Sequence, residues 1–283
     1  MKRLNKRSFA VRYFDPSGGY PEVDFSNQDV DYSFDSNKNI LCSVVRLQDH
    51  DNAFYDSEVG WAFPSEIRLW GALSLSVPQD QGWITIIPAE RSRIIHEYEV
   101  SLEVDFDSLK GLGSLLLNSK EYMDVFKGKE SVGTEYNFHP YPVNEAILKT
   151  LYESVDPTNH VLIRGLSCFL KSQFLARSRL TFEEATLLVY ISLEAAFALI
   201  KIRNSYQSYE QVYKYISDEI TGGEYLAEYY RDCRKNRNIL SHPDSKDGPY
   251  GIPPLSADDF CDTFISLSRL YRFIIAGIDI EDE

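Results

Sequence analysis

TFEEATLLVYISLEAAFALIKIR, Thr181–Arg203, sets the architecture of the second half of the chain. Leu187, Leu188, Val189, Ile191, Leu193, Ala195, Ala196, Phe197, Leu199 and Ile200 leave almost no polar face on a helix of this length. A helix apolar all round must be covered by others, so it is placed at the centre of a helical bundle. Its start is written as a capping box, Thr181-Phe182-Glu183-Glu184, in which the first and fourth side chains satisfy each other's free backbone donors.

Working outward, the 3.6-residue period predicts helices over 143–154, 157–178, 182–203, 208–219, 223–240 and 257–277. Asp156-Pro157 reads as a cap before a proline in the first turn, Ser208-Tyr209-Glu210-Gln211 as a second capping box, and Ser256-Ala257-Asp258-Asp259 as an acidic start. Upstream the pattern changes. Phe9–Phe14, Ile40–Leu47, Ile67–Val77, Trp83–Ile87 and Ile94–Phe106 read as strands between turns, with a short helix near Leu109–Phe126. Gly128–Pro142 reads as the linker. The expected architecture is α+β: a mainly antiparallel β-rich domain over 1–140, then an all-helical domain over 141–283.

The net charge of −14 argues against a surface that grips nucleic acid throughout, and confines any such site to a local basic patch. Cys42, Cys168, Cys233 and Cys261 have no CxxC spacing and read as buried or free thiols. The basic start, Lys2, Arg3, Lys6 and Arg7, lacks the apolar run of a signal peptide, and no segment has about 18 uncharged apolar residues in a row. The expectation is a cytoplasmic protein without a membrane span. GxSxG, GxxxxGK and HExxH are absent. Asp29-Val30-Asp31 with Asp35, and Asp49-His50-Asp51 with Asp56 and Glu58, fit no calcium loop and read as solvated turns rather than a metal site.

The densest basic patch is Arg231-Asp232-Cys233-Arg234-Lys235-Asn236-Arg237-Asn238-Ile239-Leu240-Ser241-His242-Pro243, where the proline ends the helix. Helical spacing puts Arg231, Arg234 or Lys235, Asn238 and His242 on one face. Arg237 and His242 lie roughly 140° apart on an ideal helix, so the helix end distorts or a second copy completes the site. An arginine that binds a scissile phosphate and a histidine that moves a proton suit metal-free RNA cleavage, with the neighbouring 2′-hydroxyl as attacking group. DNA lacks that hydroxyl and is refused.

Arg237-Asn238-Ile239-Leu240-Ser241-His242, at the end of a penultimate helix, resembles the signature of HEPN-domain ribonucleases. Leu193-Glu194-Ala195-Ala196-Phe197-Ala198-Leu199 is similar to the central helix of the Apea-like HEPN branch. The resemblance covers the second half and leaves the first unassigned. It implies a homodimer through the helical domain and a metal- and cofactor-independent endoribonuclease leaving 2′,3′-cyclic phosphate ends, an effector of antiviral defence or a toxin–antitoxin system. Carried over by position, Arg237 and His242 are catalytic, Asn238 is their polar support and Glu194 orients the arginine. Arg231, Arg234 and Lys235 are the RNA-binding candidates. Two departures are Pro243, where many relatives have glycine, and the long loop Asp244–Leu255.

Purely structural roles are open to the same residues: His242 as a cap on its helix end, Arg231, Arg234 and Lys235 as a solvated face, and Glu194 in a structural ion pair. Tyr206, Tyr209, Tyr213, Tyr215, Tyr225, Tyr229 and Tyr230 read mostly as core or dimer contact, with one or two near the patch available to stack on a base. The rival functions are a non-catalytic HEPN-like dimerisation or regulatory module that binds a protein partner, and an enzyme that transfers a nucleotide group. The first domain reads as the sensing or partner-binding module.

Overall fold

A computed structural model describes residues 8–14, 19–35, 40–52, 61–77, 93–97, 106–118, 139–178, 181–241 and 257–279. The fold is α+β, and the chain divides into two compact units, one of Met1–Trp70 with Ile84–Glu145 and one of Gly71–Trp83 with Ala146–Glu283.

The first unit is built on an antiparallel sheet in the order β3-β4-β5-β1-β6, formed by β1 (Ser8–Phe14), β3 (Phe25–Ser26), β4 (Val30–Asp35), β5 (Ile40–Arg46) and β6 (Arg93–His96). Ala10 pairs with both Val45 and Ile94, which makes β1 a central strand. Every residue of β1 is buried, and the alternation along a strand sends its side chains to two different cores. Phe9, Val11 and Tyr13 join Cys42, Val44 and Ile95 against Leu112 and Leu116 of α2 (Leu112–Asn118). On the other face Phe14 meets Trp70 edge-on, and Arg12 reaches Glu66, both on α1 (Pro64–Leu75).

Phe9–Phe14 and Ile40–Leu47 are strands as expected, whereas Ile67–Val77 is not: the helix α1 runs through it to Leu75. Ile67, Leu69, Trp70, Ala72, Leu73 and Leu75 are all buried, and an element covered on all sides shows no period that separates helix from strand. Pro64 in the first turn and Glu66, whose carboxylate accepts from the Phe63 N–H, mark the helix start. His139–Tyr141, within the expected linker, is β7, which pairs in parallel with β2 (Gly19–Pro21). Trp83–Ile87 lies outside the described residues, as do 98–105 of the expected last strand and 128–138 of the linker.

The acidic clusters are corrected as well. Asp31 is buried in β4, accepting from the N–H groups of Gly111 and Gly113 and from Ser33. Burial pushes its carboxyl above the ordinary range against those hydrogen bonds. Asp51 is buried too, accepting from Gln48 N–H and from the Ser65 N–H and hydroxyl. Both carboxylates cap backbone donors that would otherwise be orphaned. Asp56 and Glu58 lie outside the described residues.

The second unit is the helical bundle: α3 (Glu145–Ser154), α4 (His160–Leu175), α5 (Phe182–Asn204), α6 (Tyr209–Glu219), α7 (Gly223–Ser241) and α8 (Ala257–Ala276). α5 packs against α4, α6, α7 and α8, the central place its composition predicted. Among the described residues it is also the one helix long and apolar enough to cross a membrane. Phe197 is fully buried, with Tyr209, Tyr213 and Tyr230 edge-on around it. Gly165 lets α4 come close, since a Cβ there would overlap the Tyr271 hydroxyl and the Ala195 methyl. The freed space holds a buried set in which the Tyr271 hydroxyl donates to Ser192 O at 2.9 Å and the Ser192 hydroxyl to Gly165 O at 2.8 Å.

The last residues of α1 belong to this unit. Arg272 of α8 donates to the carbonyls of Leu75 and Val77, and Gln173 of α4 donates to the Ser74 hydroxyl at 2.9 Å. Burial pushes the Arg272 guanidinium down to about 10.

The capping signals were realised unevenly. Ser208 and Gln211 form the expected capping box. Asp156 instead closes a turn onto Thr158, and Asn159 caps α4 by accepting from Val161 and Leu162, so the helix begins at His160 rather than 157. Thr181 precedes α5 but its hydroxyl donates to Leu175 O, leaving the box unformed. Ser256 lies outside the described residues.

Candidate functional site

α7 stays helical through Ser241 despite Asn236 and Asn238, both weak helix formers, because its inner side is anchored: Leu226, Ala227, Tyr230 and Cys233 are buried. Tyr230 donates to Ser266 O, and Tyr229 bonds Thr263 of α8. Burial drives the Tyr230 phenol well above its ordinary value and the Cys233 thiol up to about 11. All four cysteines are free thiols.

Beside these anchors α7 carries cations, and each of the three whose side chains are described, Arg231, Arg234 and Lys235, has a carboxylate. Arg231 Nη2 lies 3.0 Å from Glu210 Oε2 of α6. Arg234 Nε lies 3.6 Å from Glu194 Oε1 of α5. Lys235 Nζ lies 2.7 Å from Asp232 Oδ1 on its own helix, and that hydrogen bond holds the ammonium above its ordinary pKa. The remaining oxygen of Glu194, Oε2, accepts from the Tyr209 hydroxyl at 2.6 Å. Burial, and then this bond, push the Tyr209 phenol upward.

The first turn and a half of α6 forms a shelf under these arginines. The Arg234 guanidinium sits 3.6 Å from the centroid of the Tyr209 ring, and that of Arg231 4.8 Å from the Tyr213 ring. Lys201 of α5 reaches to 5.1 Å from the Tyr209 ring. Tyr209 and Tyr213 are spaced i,i+4 on α6, and Arg231 and Arg234 i,i+3 on α7, so one face meets the other in step. These two rings are therefore occupied by cations rather than open to a base. The spacings were visible in the sequence, but their registration across two helices was not.

Glu194 is in an ion pair, as weighed, and its partner among the described side chains is Arg234. Arg237 and Asn238 occupy the last turns of α7, described in backbone only, three and four positions beyond Arg234 and thus on the same face one turn on. His242 follows the last helical residue and lies outside the described residues, as do Pro243 and the loop to Leu255. The helix thus puts Arg231, Arg234 and Asn238 on one face leading to the position before His242, with Arg237 about 120° from Arg231 around the axis. Lys235 lies beside that face, turned onto Asp232. Among the described residues no group of three His, Cys, Asp or Glu side chains converges as a metal site requires.

Comparison with protein-family models, with curated proteins and with solved structures finds no match to this chain.

Proposed function

We propose that the helical unit is a HEPN-type endoribonuclease acting without metal. The observation that carries the reading is the unbroken run of α7 to Ser241, which sets Arg237 and Asn238 one turn beyond Arg234 and ends one residue before His242. In the proposed reaction Arg237 binds the scissile phosphate and the charge that builds on it. The ribose 2′-oxygen attacks phosphorus, its proton passes to a base, the 5′-oxygen leaves with a proton, and a 2′,3′-cyclic phosphate remains. His242 carries the proton, and Asn238 supports the pair with hydrogen bonds. Glu194 acts one turn away, by fixing Arg234 and Tyr209.

The reading includes a homodimer through the helical unit, with the two Arg/His sets facing one another, a cytoplasmic setting, and a role in antiviral defence or a toxin–antitoxin pair. The β-rich unit is the sensing or partner-binding module. The carboxylates matched to the described cations of α7 favour one rival, a non-catalytic dimerising module that binds a protein partner, because a neutralised face has lost much of its pull on RNA.

Incubation of the full-length protein with a mixed RNA pool at low salt, with EDTA present, separates them. Cleavage leaving 2′,3′-cyclic phosphate ends, with DNA of the same sequence untouched, is the expected result. Intact RNA after incubation with folded dimer and cell extract transfers the lead to the binding module.

A further inference from the structure

Two of the carboxylates on the arginine face are built differently from the third. Glu194 is only 25% exposed and is held by the Tyr209 hydroxyl as well as by Arg234. Glu210 and Asp232 are 74% and 61% exposed, and the hydrogen bonds recorded to their carboxylates come from Arg231 and Lys235. Ion pairs as exposed as these are weak and give way to a competing anion. What places the guanidinium of Arg231 apart from Glu210 is the Tyr213 ring, and what places that of Arg234 is the Tyr209 ring.

The two arginines are thus positioned by aromatic faces and discharged by carboxylates, two functions carried by separate side chains. We propose that Glu210 and Asp232 are counter-charges that gate this face: they occupy the places of phosphates and yield only to a ligand presenting several phosphates in succession, an RNA strand. The inference rests on the ribonuclease reading of the same site and deepens it by naming what restricts its substrate. A single nucleotide gains one contact while displacing one carboxylate, so it exchanges like for like. A strand engages Arg231, Arg234 and Lys235 together, and release of its condensed counterions adds to each exchange. In a chain of net charge −14 such a gate also keeps small anionic metabolites out of the site.

Binding is measured by fluorescence anisotropy with a labelled single-stranded RNA across a salt series, using His242→Ala so that cleavage does not interfere. Adding Glu210→Gln or Asp232→Asn is expected to tighten binding about two- to fivefold each. The slope of log affinity against log salt steepens by about 0.7 for each contact released to the strand. Glu153→Gln, an exposed carboxylate on α3, removes the same charge away from the face and is expected to leave affinity within experimental error. Arg231→Ala is expected to weaken binding and flatten the slope. Equal tightening by Glu153→Gln would assign the effect to net charge and overturn the gate, as would unchanged affinity in both gate variants or an absence of RNA binding throughout. Because binding is read apart from cleavage, the gate can fail while wild-type cleavage stands, and the reverse.

Discussion

Replacing His242 by alanine is expected to lower the proposed RNA cleavage by about 10²–10⁴-fold, the usual contribution of a positioned acid or base, with the far-ultraviolet circular dichroism of the protein unchanged. The fold is expected to survive because the described anchors of the helical unit lie elsewhere: α7 is held upstream by Tyr230 and Cys233, and α5 is sheathed by its four neighbours. Arg237→Ala is expected to fall at least as far. Arg237→Lys is the sharper variant, since lysine keeps the charge and loses the two-pronged grip on a phosphate. It should retain RNA affinity and lose turnover, a split between KM and kcat that a merely electrostatic surface residue does not produce. If His242→Ala and Arg237→Ala both cut RNA at the wild-type rate, these residues are not the catalytic pair and the activity lies elsewhere.

The second large effect is on stability. Arg12 and Glu66 are a salt bridge inside the sheet unit, 2% and 0% exposed, with Nη2 and Oε2 at 3.2 Å. Arg12 also donates to Trp61 O at 2.9 Å and lies over the Trp70 ring. Arg12→Leu leaves the Glu66 carboxylate buried without its cation, which costs about 3–5 kcal/mol. The double variant Arg12→Met with Glu66→Leu removes both charges and is expected to recover most of that loss, because neither desolvation penalty remains. Denaturant unfolding followed by the fluorescence of Trp61 and Trp70 reads both. A loss below about 1 kcal/mol in the single variant would mean that the pair holds little of the unit together.

What was legible in the sequence follows from how far each signal reaches. α5 could be read because an apolar surface on every side has one solution, a central helix, and α6 because Ser208 and Gln211 satisfy each other within one turn. α1 was misread as a strand because burial on all sides erases the period that separates the two. Asp31 and Asp51 were misread because an acidic residue looks the same whether it faces water or caps a distant N–H. The parallel pairing of β2 with β7 joins segments far apart in the chain and leaves no local mark. In the site, the face of Arg231, Arg234 and Asn238 was readable from α7 alone. Its carboxylates and tyrosine shelf were not, since Glu194, Glu210, Tyr209 and Tyr213 reach it from other helices, and their register is set by packing.

The Pro- and Gly-rich stretch before Val143 invites division of this protein into two exchangeable halves. The carbonyls of Leu75 and Val77 and the hydroxyl of Ser74 stand against that. A fragment starting at residue 141 would keep Arg272 and Gln173 while discarding every one of those acceptors, stranding a cation and an amide in its interior. Such a piece is expected to melt well below the intact chain, and to regain stability when a peptide spanning residues 61–77 is supplied. Recombination at the apparent seam would separate a helix end from the arginine that caps it, so a graft of the helical half onto another first half is expected to need residues 61–77 carried with it.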